Sequence, residues 1–272
     1  VDIDNVKIIP VAENRIYISW KFKQTLENFQ EYIFILERSE DPASGYVPVF
    51  EFNHDIEYTD SVWFKKIWRN LYYRFRIVHT PSGTVNYTKA YRMSVAPDLE
   101  ALEIVRRNNI MLRNRRYGTG TPIAVFKQKT VGPKCPVCWD YNKQKVRSST
   151  CDECFKTGIE GGYYDPIITW ANLTPPQKMV QIPQWGEMEP NEIRIFLSNE
   201  PVVNPKDIFF APNDMLFYQI NQVETSSRRG YLLHQLAAAS VLDRSSIIYK
   251  LLNKYPQLTE QLDTEREKIK LR

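Results

Sequence analysis

Leu71-Tyr-Tyr-Arg-Phe-Arg-Ile-Val78 alternates Tyr73, Phe75 and Ile77 with Arg74 and Arg76. Alternation with a period of two is that of a strand with one face in a core and the other in water. The run breaks at Thr80-Pro-Ser-Gly83, and a last strand is expected around Val85–Thr88. Working back, Arg15-Ile-Tyr-Ile-Ser-Trp20 has the same alternation through Ile16, Ile18 and Trp20, so Trp20 is expected as a core plug against Tyr73 and Phe75. Tyr32-Ile-Phe-Ile-Leu-Glu-Arg-Ser39 reads as a third strand, followed by a polar turn region and a fourth strand near Tyr46. Strand count and turn spacing predict an aligned β-sandwich over residues 1–97.

The early Ile-x-Ile-x-Trp strand, the Leu36-Glu-Arg-Ser39 strand end, and Leu71-x-Tyr73-x-Phe75-x-Ile77 with its Ser-Gly hairpin resemble a fibronectin type III domain. No cysteine pair spans the sheets, which argues against an antibody-type domain. A sandwich of this kind does not fix a function.

All four cysteines of the chain fall in two pairs, Cys135-x2-Cys138 and Cys151-x2-Cys154, with twelve residues between the pairs. Each Cys-x2-Cys turn can present two thiolates to one ion, and two turns give the four-sulfur set of structural Zn²⁺ sites. Trp139 and Phe155 follow the turns and are expected to shield the sulfurs. The sequence therefore predicts one structural zinc per chain in a knuckle or ribbon. Four thiolates leave no open position for activating water, so the metal is expected to fold a loop and supply most of its local folding energy, about 10–16 kcal/mol apparent. The competing reading is a pair of disulfides in an oxidising compartment; sole thiolate ligation implies reducing cytosol instead.

At 272 residues, 43% hydrophobic and 13% aromatic, the chain is long enough for two compact domains and a small insert. No apolar run approaches a membrane span, and Val1-Asp-Ile-Asp shows no secretion signal. The net charge of +4 hides an uneven distribution: residues 106–147 hold eleven basic residues and one acid, Asp140, while both flanks are acidic. Arg106, Arg107, Arg113, Arg115, Arg116, Lys127, Lys129, Lys134, Lys143, Lys145 and Arg147 make up this block. It is either a solvated surface or a contact for an acidic protein partner or DNA.

The rest of the chain divides as follows. Residues 98–128 form a linking helix, N-capped by Asp98 and ending by Tyr117-Gly118, and a connector strand over Ile123–Gln128. Residues 129–166 are the zinc ribbon, closed by the glycines of Thr157-Gly-Ile-Glu-Gly-Gly-Tyr-Tyr-Asp-Pro166. Residues 167–190 are expected as an extended proline-rich arm, marked from Leu173 to Asn191 by Pro175, Pro176, Pro183 and Pro190. Residues 191–256 return to strands as a small β-barrel that a strand over Ile247–Leu251 closes, and 257–272 read as a charged tail, either a frayed helix or a disordered segment. The fold class is thus mainly β: a fibronectin type III-like sandwich, a zinc ribbon insert and a small C-terminal β-barrel, with one linking helix.

This order of elements resembles virion neck proteins of tailed bacteriophages, of the head-to-tail connector and head-closure type. The local stretches that carry the resemblance are Cys154-Phe-Lys-Thr-Gly158 leading into Gly161-Gly-Tyr-Tyr-Asp-Pro166, and Asn204-Pro-Lys-Asp207-Ile with Leu216-x-Tyr218-x-Ile220-x-x-Val223 and Leu233-His-Gln235. It spans most of residues 98–256. The resemblance implies a non-enzymatic structural subunit, assembled in the host cytoplasm and carried in the virion. It would form a homo-oligomeric ring between portal and tail, contacting the portal, other neck or tail proteins and packaged DNA, with no membrane. His54, His79 and His234 lie far apart, and no phosphate loop, nucleophile elbow or zinc-protease helix is present, so no catalytic residue is expected. Two other readings stay open: a nucleic-acid-binding zinc-ribbon protein using Trp139 and Tyr141 for stacking, and a tail-fibre or adhesion module.

Overall fold

A computed structural model describes residues 2–12, 14–23, 29–62, 70–93, 98–113, 118–174 and 192–270. The chain divides into two compact units. The first comprises Val1–Leu102, Thr130–Lys134 and Arg228–Leu232, the second Glu103–Lys129, Cys135–Ser227 and Leu233–Arg272. Among the described residues no helix is long and apolar enough to cross a membrane.

The first unit is built on eight strands: β1 (Ile3–Ala12), β2 (Arg15–Phe22), β3 (Tyr32–Ser39), β4 (Val47–Phe52), β5 (Glu57–Ser61), β6 (Tyr72–His79), β7 (Thr84–Tyr87) and β8 (Tyr91–Arg92). One sheet has the order β1-β2-β5; the other runs β4-β3-β6-β7, with β8 also on β6. Alternate residues of both sheets meet in one core: Ile16, Ile18 and Trp20 from β2, Phe34 and Leu36 from β3, and Tyr73, Phe75 and Ile77 from β6. This is a sandwich with an immunoglobulin-like division of strands, except that β4 lies beside β3, whereas the constant-type order puts the fourth strand in the first sheet.

Trp20 is the expected plug, 2% exposed. Its ring packs 5.2 Å from Phe75 and 4.7 Å from Phe52. Tyr73 is fully buried in the same core, with its hydroxyl on a buried carboxylate, Asp60. The hairpin after β6 closes through Gly83, which donates its N–H to the His79 carbonyl at φ +66°.

Helix α1 (Leu99–Arg113) starts at Asp98, whose Oδ1 accepts the N–H groups of Glu100 at 3.0 Å and Ala101 at 3.2 Å. These are two of the orphan donors of a helix start, and they hold the Asp98 carboxyl below its ordinary range. Arg228 bonds the same carboxylate and that of Glu100. The helix turns Ala101, Leu102, Val105 and Leu112 inward, at the spacing of one stripe.

The second unit centres on a barrel. Its strands are β9 (Thr121–Phe126), then, past the short pair β10 (Trp139–Asp140) and β11 (Lys145–Val146), β12 (Ile167–Thr174), β13 (Glu192–Leu197), β14 (Ile208–Ala211), β15 (Leu216–Arg228) and β16 (Tyr231–Val241). Six of them close in the order β12-β13-β16-β15-β14-β9, every pair antiparallel where its register is resolved. The barrel therefore does not begin at residue 191. The stretch expected as a connector before the cysteines is strand β9, and the cysteine segment is an insertion between β9 and its barrel neighbour β12.

Two-sided burial explains β9. Ile123 and Val125 face the barrel interior with Ile195, Leu197, Phe209 and Ile220. Ala124 and Phe126 face outward, covered with Ile208, Phe210 and Phe217 by C-terminal segments. A strand buried on both faces reads as a continuous apolar run, and Pro-Ile-Ala-Val-Phe is one.

The covering segments correct one expectation and decide between two others. Ile247–Lys250 is a 3-10 turn, capped by the Ser246 hydroxyl, that runs into helix α2 (Leu251–Lys254), so no barrel strand forms there. Ile248 and Leu251, three apart, share one side of that turn and are buried. Of the two forms expected for the charged tail, a frayed helix or disorder, residues 258–270 take the helix, α3 (Leu258–Lys270). Leu258 and Leu262, one turn apart, are buried against the barrel's outer layer. Of the expected proline-rich arm, 167–174 are instead the barrel strand β12, because they pair with β9 and β13, and 175–191 lie outside the described residues.

Candidate metal centre

Two tight turns build the site. In the first, the Trp139 N–H bonds the Cys135 carbonyl at 3.2 Å, and the Arg147 N–H bonds the Cys138 carbonyl at 2.8 Å, which ties β11 back to the turn. In the second, the Phe155 N–H bonds the Cys151 carbonyl at 3.0 Å and the Thr157 N–H bonds the Cys154 carbonyl at 2.9 Å. Phe155 and Lys156 take left-handed conformations, with φ of +48° and +71°, to wind that loop. The two turns are joined by the Cys135 N–H to the Gly158 carbonyl, 3.0 Å. Gly158 is required there: its φ is +78°, and a Cβ would lie 2.8 Å from Val146 and 3.0 Å from the Trp139 ring.

The four sulfurs lie within 4.8 Å of one another. Cys135 and Cys151 are 3.7 Å apart and Cys138 and Cys154 are 3.2 Å apart. A tetrahedral ion with metal–sulfur bonds of about 2.3 Å sets its sulfurs about 3.8 Å apart. A disulfide needs about 2.05 Å, so these are free thiols. The donor set thus fits one ion held on all sides by sulfur. Among the described residues this is the group of His, Cys, Asp or Glu side chains that could hold a metal.

Electrostatics point the same way. Burial, then hydrogen bonding with the neighbouring thiols, pushes the Cys138 thiol well above its ordinary range, and burial raises Cys154. Burial also works against Cys151, but backbone N–H groups at Cys154 and Glu153 outweigh it and bring that thiol to about 7. Four thiolates packed this closely cannot all ionise unless a cation offsets their repulsion.

Val146 packs on the sulfurs. Trp139 lines the approach to Gly158. Phe155 does not shield the sulfurs as expected; it joins Phe126, Tyr163 and Leu258 in the layer outside the barrel. The insertion is further fastened at its base, where the Lys129 N–H meets the Gly162 carbonyl and the Tyr164 N–H meets the Lys127 carbonyl. Asp207 is the residue that sequence reasoning passed over as a turn. Its Oδ1 accepts the Gln128 N–H and its Oδ2 the Asn204 N–H, both at 2.8 Å, in full burial. An Asp ahead of a strand gave the only signal.

The basic block is not uniformly exposed. Arg106 and Arg107 lie on α1 and both bind Glu103, at 2.7 and 2.8 Å, and Arg113 is exposed at the end of that helix. Arg115 and Arg116 lie outside the described residues. Lys127 is 4% exposed, which removes it as a surface contact: it follows β9, at the base of the insertion. Lys129 is half-buried beside the Tyr164 ring, and Lys134 is half-buried as well. Lys143, Lys145 and Arg147 are exposed on the β10–β11 hairpin. Asp140 accepts the N–H groups of Lys143 and Asn142 and pairs with Arg147, and these contacts hold its carboxyl below the ordinary range.

No family model matches the chain, and no curated protein matches it. Among solved structures, "Titin kinase and its flanking domains" aligns over 88% of this chain at 8% identity and a TM-score of 0.25. The chain spans 37% of that molecule, and a likeness of this size carries no argument about either protein's role.

Proposed function

We propose that this chain is a non-enzymatic structural subunit of a tailed-phage virion, forming a ring in the neck that joins the portal and head to the tail. The observation that carries the architectural part is the closed four-cysteine cluster set into a six-stranded barrel. A site enclosed by four sulfurs offers no position for substrate, so an ion there builds structure. Zinc is the ion that this donor set and its spacing suit best, held by Cys135, Cys138, Cys151 and Cys154, one per chain. When bound, it supplies a fixed crosslink between the two turns. The order of sandwich, helix, cysteine insertion and barrel, together with the local stretches quoted above, supports the neck assignment. Its partners would be further copies, the portal and other neck or tail proteins, with DNA passing through the ring. Purified particles imaged at the neck test this: the expected result is this subunit in a ring between portal and tail. Its absence from the particles would refute the assignment.

A further inference from the structure

Phe155 belongs to two structures at once. Its N–H closes the second cysteine turn on the Cys151 carbonyl, at φ +48°, and it directly follows Cys154 in the chain. Its side chain is buried in the apolar layer outside the barrel, in one cluster with Phe126, Leu258 and Leu262. Gly162 packs against both the turn and the ring: a Cβ there would lie 2.6 Å from the Cys154 carbonyl and 3.1 Å from the Phe155 ring. The place of the ring thus follows from the winding of the turn.

Neither side of this joint is strong by itself. Among the described residues, the apolar cluster between the cysteine turns is the four cysteines themselves with Val146 packed on them, so an ion is what keeps the turns wound. On the other side, α3 has 13 residues and, among those described, buries only Leu258 and Leu262. A helix of about 12–15 residues is marginal in water without a surface to pack on. Two polar contacts run from the insertion to the same C-terminal segment. Lys250 pairs at 2.8 Å with Asp152, which lies between the cysteines of the second turn, and the Tyr255 hydroxyl donates to Asp165 at 2.7 Å. The exposed Lys250 pair contributes little alone. Tyr255 is better seated, since its ring lies 5.8 Å from that of Phe126.

We propose that an ion in the cysteine centre acts, through Phe155, as a latch on the C-terminal cover of the barrel, residues 247–267. With the ion in place, the wound turn holds Phe155 in the outer layer and the cover is seated on it. When the ion leaves, the turn loosens, Phe155 withdraws and the cover frays, which uncovers Phe126, Phe210 and Phe217 on the outer face of the barrel. Coupling of this kind is reciprocal: whatever weakens the cover weakens the metal site by the same factor. The inference rests on the metal reading of the four cysteines and is independent of the neck assignment.

Hydrogen exchange of the full chain, zinc-loaded and after chelation under reducing conditions, tests it. Chelation should raise exchange at 247–267 about tenfold or more, while β2, β3 and β6 of the sandwich and β13 and β16 of the barrel keep their protection. Phe155→Ala should still take up zinc, but exchange at 247–267 should no longer respond to it; Phe155→Leu, which keeps an apolar side chain, should restore part of the response. Leu262→Ala, a change in α3 alone, should lower zinc affinity about fivefold or more. A chain that binds zinc and exchanges alike at 247–267 with and without it would overturn the latch. So would a Phe155→Ala chain that responds as fully as the wild type, or a Leu262→Ala chain with wild-type zinc affinity. Loss of protection across β13 and β16 on chelation would overturn it as well, because the ion would then hold the whole unit. A chain that takes up no zinc would remove the metal reading along with the latch, and zinc content by itself tells that failure from the others.

Discussion

The Tyr73 hydroxyl donates to Asp60 Oδ2 at 2.8 Å, and the two residues belong to different sheets of the sandwich. Arg38, also from the second sheet, bonds both oxygens of the same carboxylate at 2.9 and 2.7 Å. Burial, reinforced by the Asp60 charge, pushes the Tyr73 hydroxyl far above its ordinary range, so it stays a donor at any working pH. One buried carboxylate thus pins two strands of one sheet to a strand of the other.

Asp60→Ala should therefore cost more than removal of either partner's bond, because it strands a guanidinium and a hydroxyl together. A loss of about 3 kcal/mol is expected, against about 1 kcal/mol for Tyr73→Phe. Denaturant unfolding of the two variants gives the order, and an equal or reversed order would refute the pinning role.

Trp20→Ala removes the ring that fills the space between Phe52 and Phe75. The sandwich should lose about 3–5 kcal/mol while zinc content stays at that of the wild type. Thermal melting with metal analysis on the same sample checks both halves, and an unchanged melting temperature would contradict the core role.

Metal binding should weaken as pH falls. Burial raises Cys138 and Cys154, so without an ion these thiols keep their protons, and a metal must displace them to bind. Lowering the pH adds competing protons and lowers affinity, by more than roughly tenfold per unit where several thiols titrate. Competition with a chromophoric chelator from pH 8 to 6 measures the slope. A flat profile, or a metal content near zero with two disulfides by mass spectrometry, would remove the thiolate site.

Gly158→Ala should loosen the same centre without touching a sulfur. The left-handed conformation costs a side chain about 1–2 kcal/mol, before the close approach to Val146 and Trp139 is counted. Zinc affinity about tenfold lower or worse is expected in the same chelator assay; wild-type affinity would show that the turn tolerates a Cβ.

Leu262→Ala tests the C-terminal helix. Leu262 is fully buried with Phe126 and Leu258, so its truncation should destabilise the second unit by about 2–5 kcal/mol. Limited proteolysis should then cut within 258–270 first. Wild-type resistance there would mean that α3 owes little to that contact.

Local chemistry made several features legible without any structure. Alternation at Tyr73, Phe75 and Ile77 identified a half-buried strand, because a pleated chain sorts side chains by parity. Two Cys-x2-Cys turns identified one sulfur cluster, because each turn by itself aims two thiols at one point. Asp98 marked a helix start, because a cap acts on amides two and three residues away. Each inference needed only neighbours within a few residues.

What the sequence could not determine depends on partners far along the chain. β9 was read as a connector because its closure with β12 and β14 crosses the whole cysteine insertion, and no local pattern records such pairing. Ile247–Leu251 reads as a strand, and 258–270 stays open between helix and disorder, because short apolar spacings do not decide a conformation until a surface is there to cover, and the outer layer of Ala124, Phe126 and Phe217 is that surface. The basic block looked continuous along the chain, yet folding buried Lys127, paired Arg106 and Arg107 with Glu103, and left Lys143 and Lys145 on a braced hairpin. Charge is a property of the sequence, whereas which charges face water is decided only when distant segments pack, because burial belongs to the space between elements and not to the elements themselves.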